Sequence, residues 1–140
     1  MESAAFEALD ALLAAHARAV RAADAKIGGA HGLSVTELAL LRRIDGQPEQ
    51  RARPTELARE LHLSPSGVTR ALLPLEKRGI VRRVPDAADG RATLATLTPA
   101  GRTLVADASK TAAELSEKLL KRLSLGQTRQ LIRLLEEIAS

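Results

Sequence analysis

The feature that most constrains this chain is a change of hydrophobic period at Gly79. Before it, Leu57, Ala58 and Leu61 mark a short helical stripe, and Val68, Leu72 and Leu75 mark a second at i, i+4 and i+7. After it, Ile80, Val81 and Val84 sit among arginines, residues 85–90 are rich in turn formers, and residues 92–97 alternate with period two. The breaks between these pieces have local causes. Pro54 favours the start of the first helix, Ser64-Pro65 supplies an N-cap followed by proline at the first helical position, and Gly79-Ile80 supplies a glycine C-cap with its apolar follower. Two short helices joined by a tight turn and followed by a hairpin make a helix-turn-helix with a β wing.

The flanks read as helices. Phe6, Leu9, Leu12, Leu13 and Val20 recur at helical spacing in an alanine-rich stretch from residue 4 to about 26, and Gly28-Gly29 predicts its end. Ser34 and Glu37 form a capping-box pattern that opens a second helix to about Ile44, and the polar stretch to Arg53 is a loop with room for a very short strand. Thr98-Pro99 restarts a helix to about Arg122. Ser124 and Gln127 then open a final one bearing Leu131, Leu134, Leu135 and Ile138. The fold class is therefore mainly α with a small β-hairpin wing. Pro74 stands inside the second helix of the motif, where it removes the hydrogen bond to the Arg70 carbonyl and predicts a local bend.

Charge is placed unevenly. Residues 51–91 carry nine Lys and Arg against five Asp and Glu, while the rest of the chain carries twelve of each, so the whole net charge of +4 sits in the centre. A basic centre between neutral flanks suits a polyanion. There is no cysteine, which removes disulfides, thiolate metal sites and thiol redox sensing. No apolar run is long enough for a membrane span and the N-terminus does not read as a signal peptide, so the expectation is a cytoplasmic protein with no membrane partner. His16, His31 and His62 lie in separate segments without triad or ligand spacing, so neither an enzyme, a cofactor nor a bound metal is expected. A metal-responsive regulator using His16 or His31 with carboxylates stays open as an alternative.

With Val68, Leu72 and Leu75 inward, the exposed side of the second motif helix carries Ser64, Ser66, Gly67, Thr69 and Arg70. A helix fits the major groove with its N-terminal residues near base edges and its free amides near phosphate. Ser66, Thr69 and Arg70 are the base-reading candidates. Arg70 is either a guanine reader, a phosphate anchor or a solvated arginine, and Ser64 is a helix cap compatible with a phosphate contact. Arg82 and Arg83 point to opposite faces of a strand, so that one meets phosphate and the other stays with the protein, Arg83 being the DNA-binding candidate.

Glu56-Leu57-Ala58, residues 63–70, residues 75–83, Asp89-Gly90-Arg91-Ala92 and residues 97–101, in this order and spacing, resemble the DNA-binding region of the MarR family of transcriptional regulators. The resemblance covers nearly the whole chain. It implies a winged helix-turn-helix lobe over residues 34–98, flanked by dimerisation helices at 4–30 and 99–140. It also implies a ligand-responsive repressor that binds a palindromic operator in double-stranded DNA as a homodimer. Arg91 is implied to enter a minor groove, with Asp89 orienting it; a turn aspartate is also a plain turn former. The terminal helices are implied to interleave between two chains, an intramolecular bundle being the other arrangement. Family members bind small aromatic acids between dimer helices and lobe, but here Phe6 is the only aromatic residue, so a small-molecule effector would find apolar walls and arginines and few stacking partners. The rival to DNA binding is an interaction module whose basic winged face meets protein or RNA.

Overall fold

The core is drawn from every part of the chain except the C-terminal helix. In the computed structural model, which describes residues 1–140, eighteen buried apolar residues form one cluster that includes Ile27, Leu41, Leu57, Val68, Leu75, Val81, Leu97 and Val105. The elements supplying it are α1 (Ala4–His31), α2 (Val35–Asp45), β1 (Arg51–Ala52), α3 (Pro54–Glu60), α4 (Pro65–Lys77), β2 (Val81–Pro85), β3 (Thr93–Leu97) and α5 (Pro99–Leu119); α6 (Leu125–Ala139) contributes no buried residue. The strands form one antiparallel sheet in the order β1-β3-β2, with Arg83 paired to Ala95 and Ala52 also paired to Ala95 from the other side.

Most boundaries fall where the caps put them. Both capping boxes form: Ser34 Oγ accepts from the Glu37 amide at 3.0 Å while Glu37 accepts from the Ser34 amide at 2.9 Å, and Ser124 and Gln127 do the same. Gly79, at φ +72°, ends α4 with a pair of nested bonds, Ile80 N–H to Leu75 O at 2.9 Å and Gly79 N–H to Glu76 O at 3.0 Å. The helix continues unbroken across Pro74.

Two boundaries differ from the sequence expectation. Gly28-Gly29 does not end α1, which runs through both glycines and stops at Gly32, the residue that takes the left-handed conformation at φ +67°. The extra turn runs between buried Ile27, just before the glycines, and buried Leu33, just past the cap, so core packing on either side outweighs the modest helix penalty of glycine. The fifth helix ends at Leu119 rather than near Arg122.

Arg78, just past the end of α4, reaches back to the end of α1. Its guanidinium donates to the carbonyls of Gly32 at 2.8 Å and His31 at 3.2 Å, a cation at the negative end of a helix. His31 Nε2 in turn bonds Thr111 Oγ1 of α5 at 2.7 Å. At the start of α5, Gly101 lies so close to β2 that a Cβ built on it would stand 2.2 Å from the Ile80 carbonyl oxygen. Thr98 fixes this crossing, because its amide donates to the Ile80 carbonyl at 3.1 Å while its Oγ1 lies 2.6 Å from the Gly79 carbonyl and accepts from Gly101 N–H at 3.0 Å.

Candidate functional site

The helix-turn-helix is set by a short, tightly bonded turn. His62 occupies a left-handed conformation at φ +54°, and the Leu63 amide returns to the Ala58 carbonyl at 2.8 Å. This reverses the chain after α3 and leaves Ser64 extended as the N-cap of α4, where its Oγ accepts from the Gly67 amide at 3.0 Å. Gly67 is there for space as well, since a Cβ would sit 3.0 Å from that oxygen. Proline at position 65 has no N–H, Gly67 N–H is taken by Ser64 Oγ and Val68 N–H by Ser64 O, so the Ser66 amide remains free at the helix tip. One free donor on a helix N-terminus, beside exposed Ser64 and Ser66, is a setting for an anion.

Val68, Leu72 and Leu75 are buried, which turns Ser66, Thr69 and Arg70 outward, while Gly67 is half-buried. Thr69 Oγ1 donates to the Pro65 carbonyl at 3.1 Å, so its hydroxyl faces outward as an acceptor. Arg70 has no hydrogen-bond or ion-pair partner within the protein.

The wing stands beside this helix. Arg83 and Arg82 diverge: Arg83 Nε donates to Glu76 of α4, tying the wing to the helix, while Arg82 is exposed and unpaired. Arg83, the DNA-binding candidate of the two, is the one that has a partner within the chain. Glu76, in the last turn of α4, holds it because only residues 78–80 separate the end of that helix from β2, which brings the two within reach.

At the wing tip Asp89 bonds the backbone of Arg91, not its guanidinium: Asp89 Oδ1 accepts from Arg91 N–H at 3.1 Å. Of the two roles open for Asp89, the geometry shows the turn former, which leaves the Arg91 side chain exposed and free. The residue that anchors the wing was not singled out from the sequence. Asp86 is buried, accepts from Ala88 N–H at 3.0 Å, and receives Arg53 Nε at 3.0 Å and Nη2 at 2.6 Å. The Ala88 amide, and then the Arg53 guanidinium, hold the Asp86 carboxyl below the ordinary aspartate range; Asp86 in turn raises Arg53. Arg53 is the residue before Pro54, so this pair joins the start of α3 to the far end of the hairpin, 33 positions away.

Of the nine cations in the basic centre, Arg51 pairs with Glu49 and Arg59 is exposed on α3; the other seven fall into two sets. Arg53, Arg78 and Arg83 are spent on the frame. Arg70 and Lys77 on α4 and Arg82 and Arg91 on the wing are exposed and carry no partner. No three His, Cys, Asp or Glu side chains gather as a metal-holding group.

Two apolar features lie away from this face. A cleft of about 280 Å³ between α1, α2 and α5 is walled by residues such as Val20, Leu38, Leu115 and Leu119, with Arg42, exposed and unpaired, in its lining. Phe6, Leu9 and Leu13 on α1 and Ile132, Leu134, Leu135 and Ile138 on α6 are exposed. His16 lies beside α6 in a second groove, apart from His31.

Comparison with known proteins agrees with this geometry. A model of the MarR family matches residues 31–92. An HTH-type transcriptional repressor of Mycobacterium tuberculosis is 33% identical over 109 residues, covering 78% of this chain and 77% of the relative. Among solved structures, a probable transcriptional regulator from Pseudomonas aeruginosa superposes with a TM-score of 0.83 at 29% identity, covering 91% of this chain and 92% of that one. A MarR family transcriptional regulator from Streptomyces coelicolor, in complex with DNA, superposes with a TM-score of 0.90 at 23% identity over 99% of this chain and 92% of that one.

Proposed function

Since the chain belongs to the MarR family of DNA-binding transcriptional regulators, which are not enzymes, we propose that it acts as a homodimeric repressor on a two-fold-symmetric operator. The observation that carries this reading is the separation of the arginines. Arg53, Arg78 and Arg83 are paired within the chain, whereas Arg70 on α4, whose N-terminus is open, and Arg82 and Arg91 on the wing beside it are exposed and carry no partner. In this reading α4 lies in the major groove, with Ser66, Thr69 and Arg70 at base edges and Ser64, Gly67 and the Ser66 amide near phosphate. Arg91 enters the adjacent minor groove, where negative potential is concentrated, on a turn shaped by Asp89. Arg82, in place of Arg83, meets phosphate.

The homodimer follows from surface chemistry. Phe6, Leu9 and Leu13 share one face of α1, and Leu131, Leu134, Leu135 and Ile138 share one face of α6, a helix that buries nothing within its own chain. Covering these faces with the same elements of a second chain satisfies both, and residues 4–30 and 99–140 then form the dimerisation unit around lobes at 34–98. The protein works in the cytoplasm, beside the DNA it binds.

The cleft between α1, α2 and α5 is the proposed effector site. Apolar walls with a single free guanidinium, that of Arg42, suit a small apolar acid, and without an aromatic residue in the lining an alicyclic or short aliphatic acid fits as well as an aromatic one. Occupancy would act on DNA affinity through the helices that join lobe to dimer.

Sedimentation, a footprint on duplex DNA selected by the protein, and a salt titration test the reading together. A dimer, two half-sites with centres ~10 bp apart, and a log–log salt slope of magnitude roughly 5–9 are expected. A stable monomer, or a protected site without two-fold symmetry, overturns it.

A further inference from the structure

All but one of the large apolar side chains exposed on this chain lie before residue 14 or after residue 119, where the proposed dimer covers them. The exception is Leu73, 43% exposed in the third turn of α4. Helical geometry places it on the side opposite buried Val68, Leu72 and Leu75, in one outward stripe with Ser66, Arg70 and Lys77. A lone exposed leucine is ordinary on most surfaces. This one stands between two unpaired cations on the helix assigned to the groove, with only exposed Pro74 as an apolar neighbour on that face.

We propose that Leu73 is a specificity-determining residue that packs on the C5-methyl group of thymine in the major groove. The inference rests on the reading that α4 lies in that groove. The thymine methyl is the apolar feature a base pair presents there, whereas every other edge group is a hydrogen-bond donor or acceptor that a leucine would desolvate without compensation. Arg70 and Lys77 on either side match guanine or phosphate. A protein partner would have to meet one leucine hemmed by cations, and the same stripe offers it no second anchor. Three residues of helix separate Leu73 from Arg70, so the thymine lies about one base pair along from the position that Arg70 meets.

The test uses the full chain and one duplex that it enriches from a random pool, remade with deoxyuridine replacing thymidine at each protected position in turn. Uracil keeps the pairing and the hydrogen-bonding edges and loses only the methyl group. Wild-type affinity should fall roughly fourfold at one thymine per half-site. Leu73→Ala, whose thermal midpoint should match wild type because the side chain is exposed, should bind the thymine duplex roughly fourfold more weakly and lose the distinction between thymine and uracil at that position only. Leu73→Met should retain it. A wild type indifferent to uracil at every position, with steep salt-dependent binding intact, overturns the proposal and leaves the groove reading standing. Undiminished discrimination by Leu73→Ala also overturns it, since another group would then be reading the methyl. Failure to enrich any duplex removes the groove reading and this proposal with it.

Discussion

Replacing Gly101 by alanine tests the tightest crossing in the structure. A methyl group there would meet the Ile80 carbonyl oxygen at 2.2 Å, more than an ångström inside ordinary contact, and backbone on both sides leaves no flexible side chain to move aside. Forcing α5 from β2 costs about 1–3 kcal/mol as overpacking. It also strains the Thr98 amide bond to Ile80 and the Thr98 hydroxyl contact to Gly79, at about 1 kcal/mol each. Alanine's better helix propensity returns about 1 kcal/mol. The net expectation is a loss of roughly 2–4 kcal/mol, a fall in Tm on the order of 10 °C for a chain of this size. Gly29→Ala is the matched control: it makes the same change inside α1, where nothing lies within 4 Å, and should stabilise by about 0.5–1 kcal/mol. Urea unfolding followed by circular dichroism at one fixed protein concentration reads both. A Gly101→Ala variant as stable as Gly29→Ala would refute the close approach and with it the account of why glycine follows Thr98-Pro99-Ala100.

Three further outcomes are expected. Arg91→Ala should weaken binding to the selected duplex at least tenfold, about 1.4 kcal/mol, with an unchanged thermal midpoint; full affinity in the folded variant would remove the wing from the interface. Asp86→Asn should lower stability at neutral pH, and the gap should close in acid. The folded carboxyl titrates below the unfolded value of about 3.9, so its contribution is present above that value and is lost as pH falls through the lower folded one. A gap that does not change between pH 7 and 2.5 would mean that the charge of Asp86 does not hold the wing. Truncation before Ser124 should give a chain that sediments as a monomer and loses tight DNA binding, and an intact dimer from that variant would place the interface elsewhere.

The sequence carried the fold because its punctuation is local. Ser34 with Glu37, Ser64 with Pro65, Gly79 with Ile80 and Ser124 with Gln127 each satisfy backbone groups within a few residues, so their pattern announces the boundary. Gly28-Gly29 misled for the complementary reason: whether a helix survives two glycines depends on what is buried on either side of them, here Ile27 before and Leu33 beyond the cap. At the site, the outward set on α4 follows from helical period alone, whereas the fates of the arginines do not. Arg53 meets Asp86 across 33 residues and Arg83 meets Glu76 across 7, and neither pairing has a periodic signature. Period two separates Arg82 from Arg83 but cannot say which of them faces α4 and finds a partner there. Asp89 was legible only as a residue with two open roles, of which its bond to the Arg91 amide shows the turn former.

The contact of Arg78 with the last carbonyls of α1 has an evolutionary side. It makes the end of a helix 28 residues long, about 42 Å, and the end of the recognition helix a shared joint. In the proposed dimer, a lineage whose operators differ in half-site spacing would therefore have a route that leaves the residues proposed to touch bases unchanged: a substitution far along α1 that shifts the arm would hand that shift through the joint to α4.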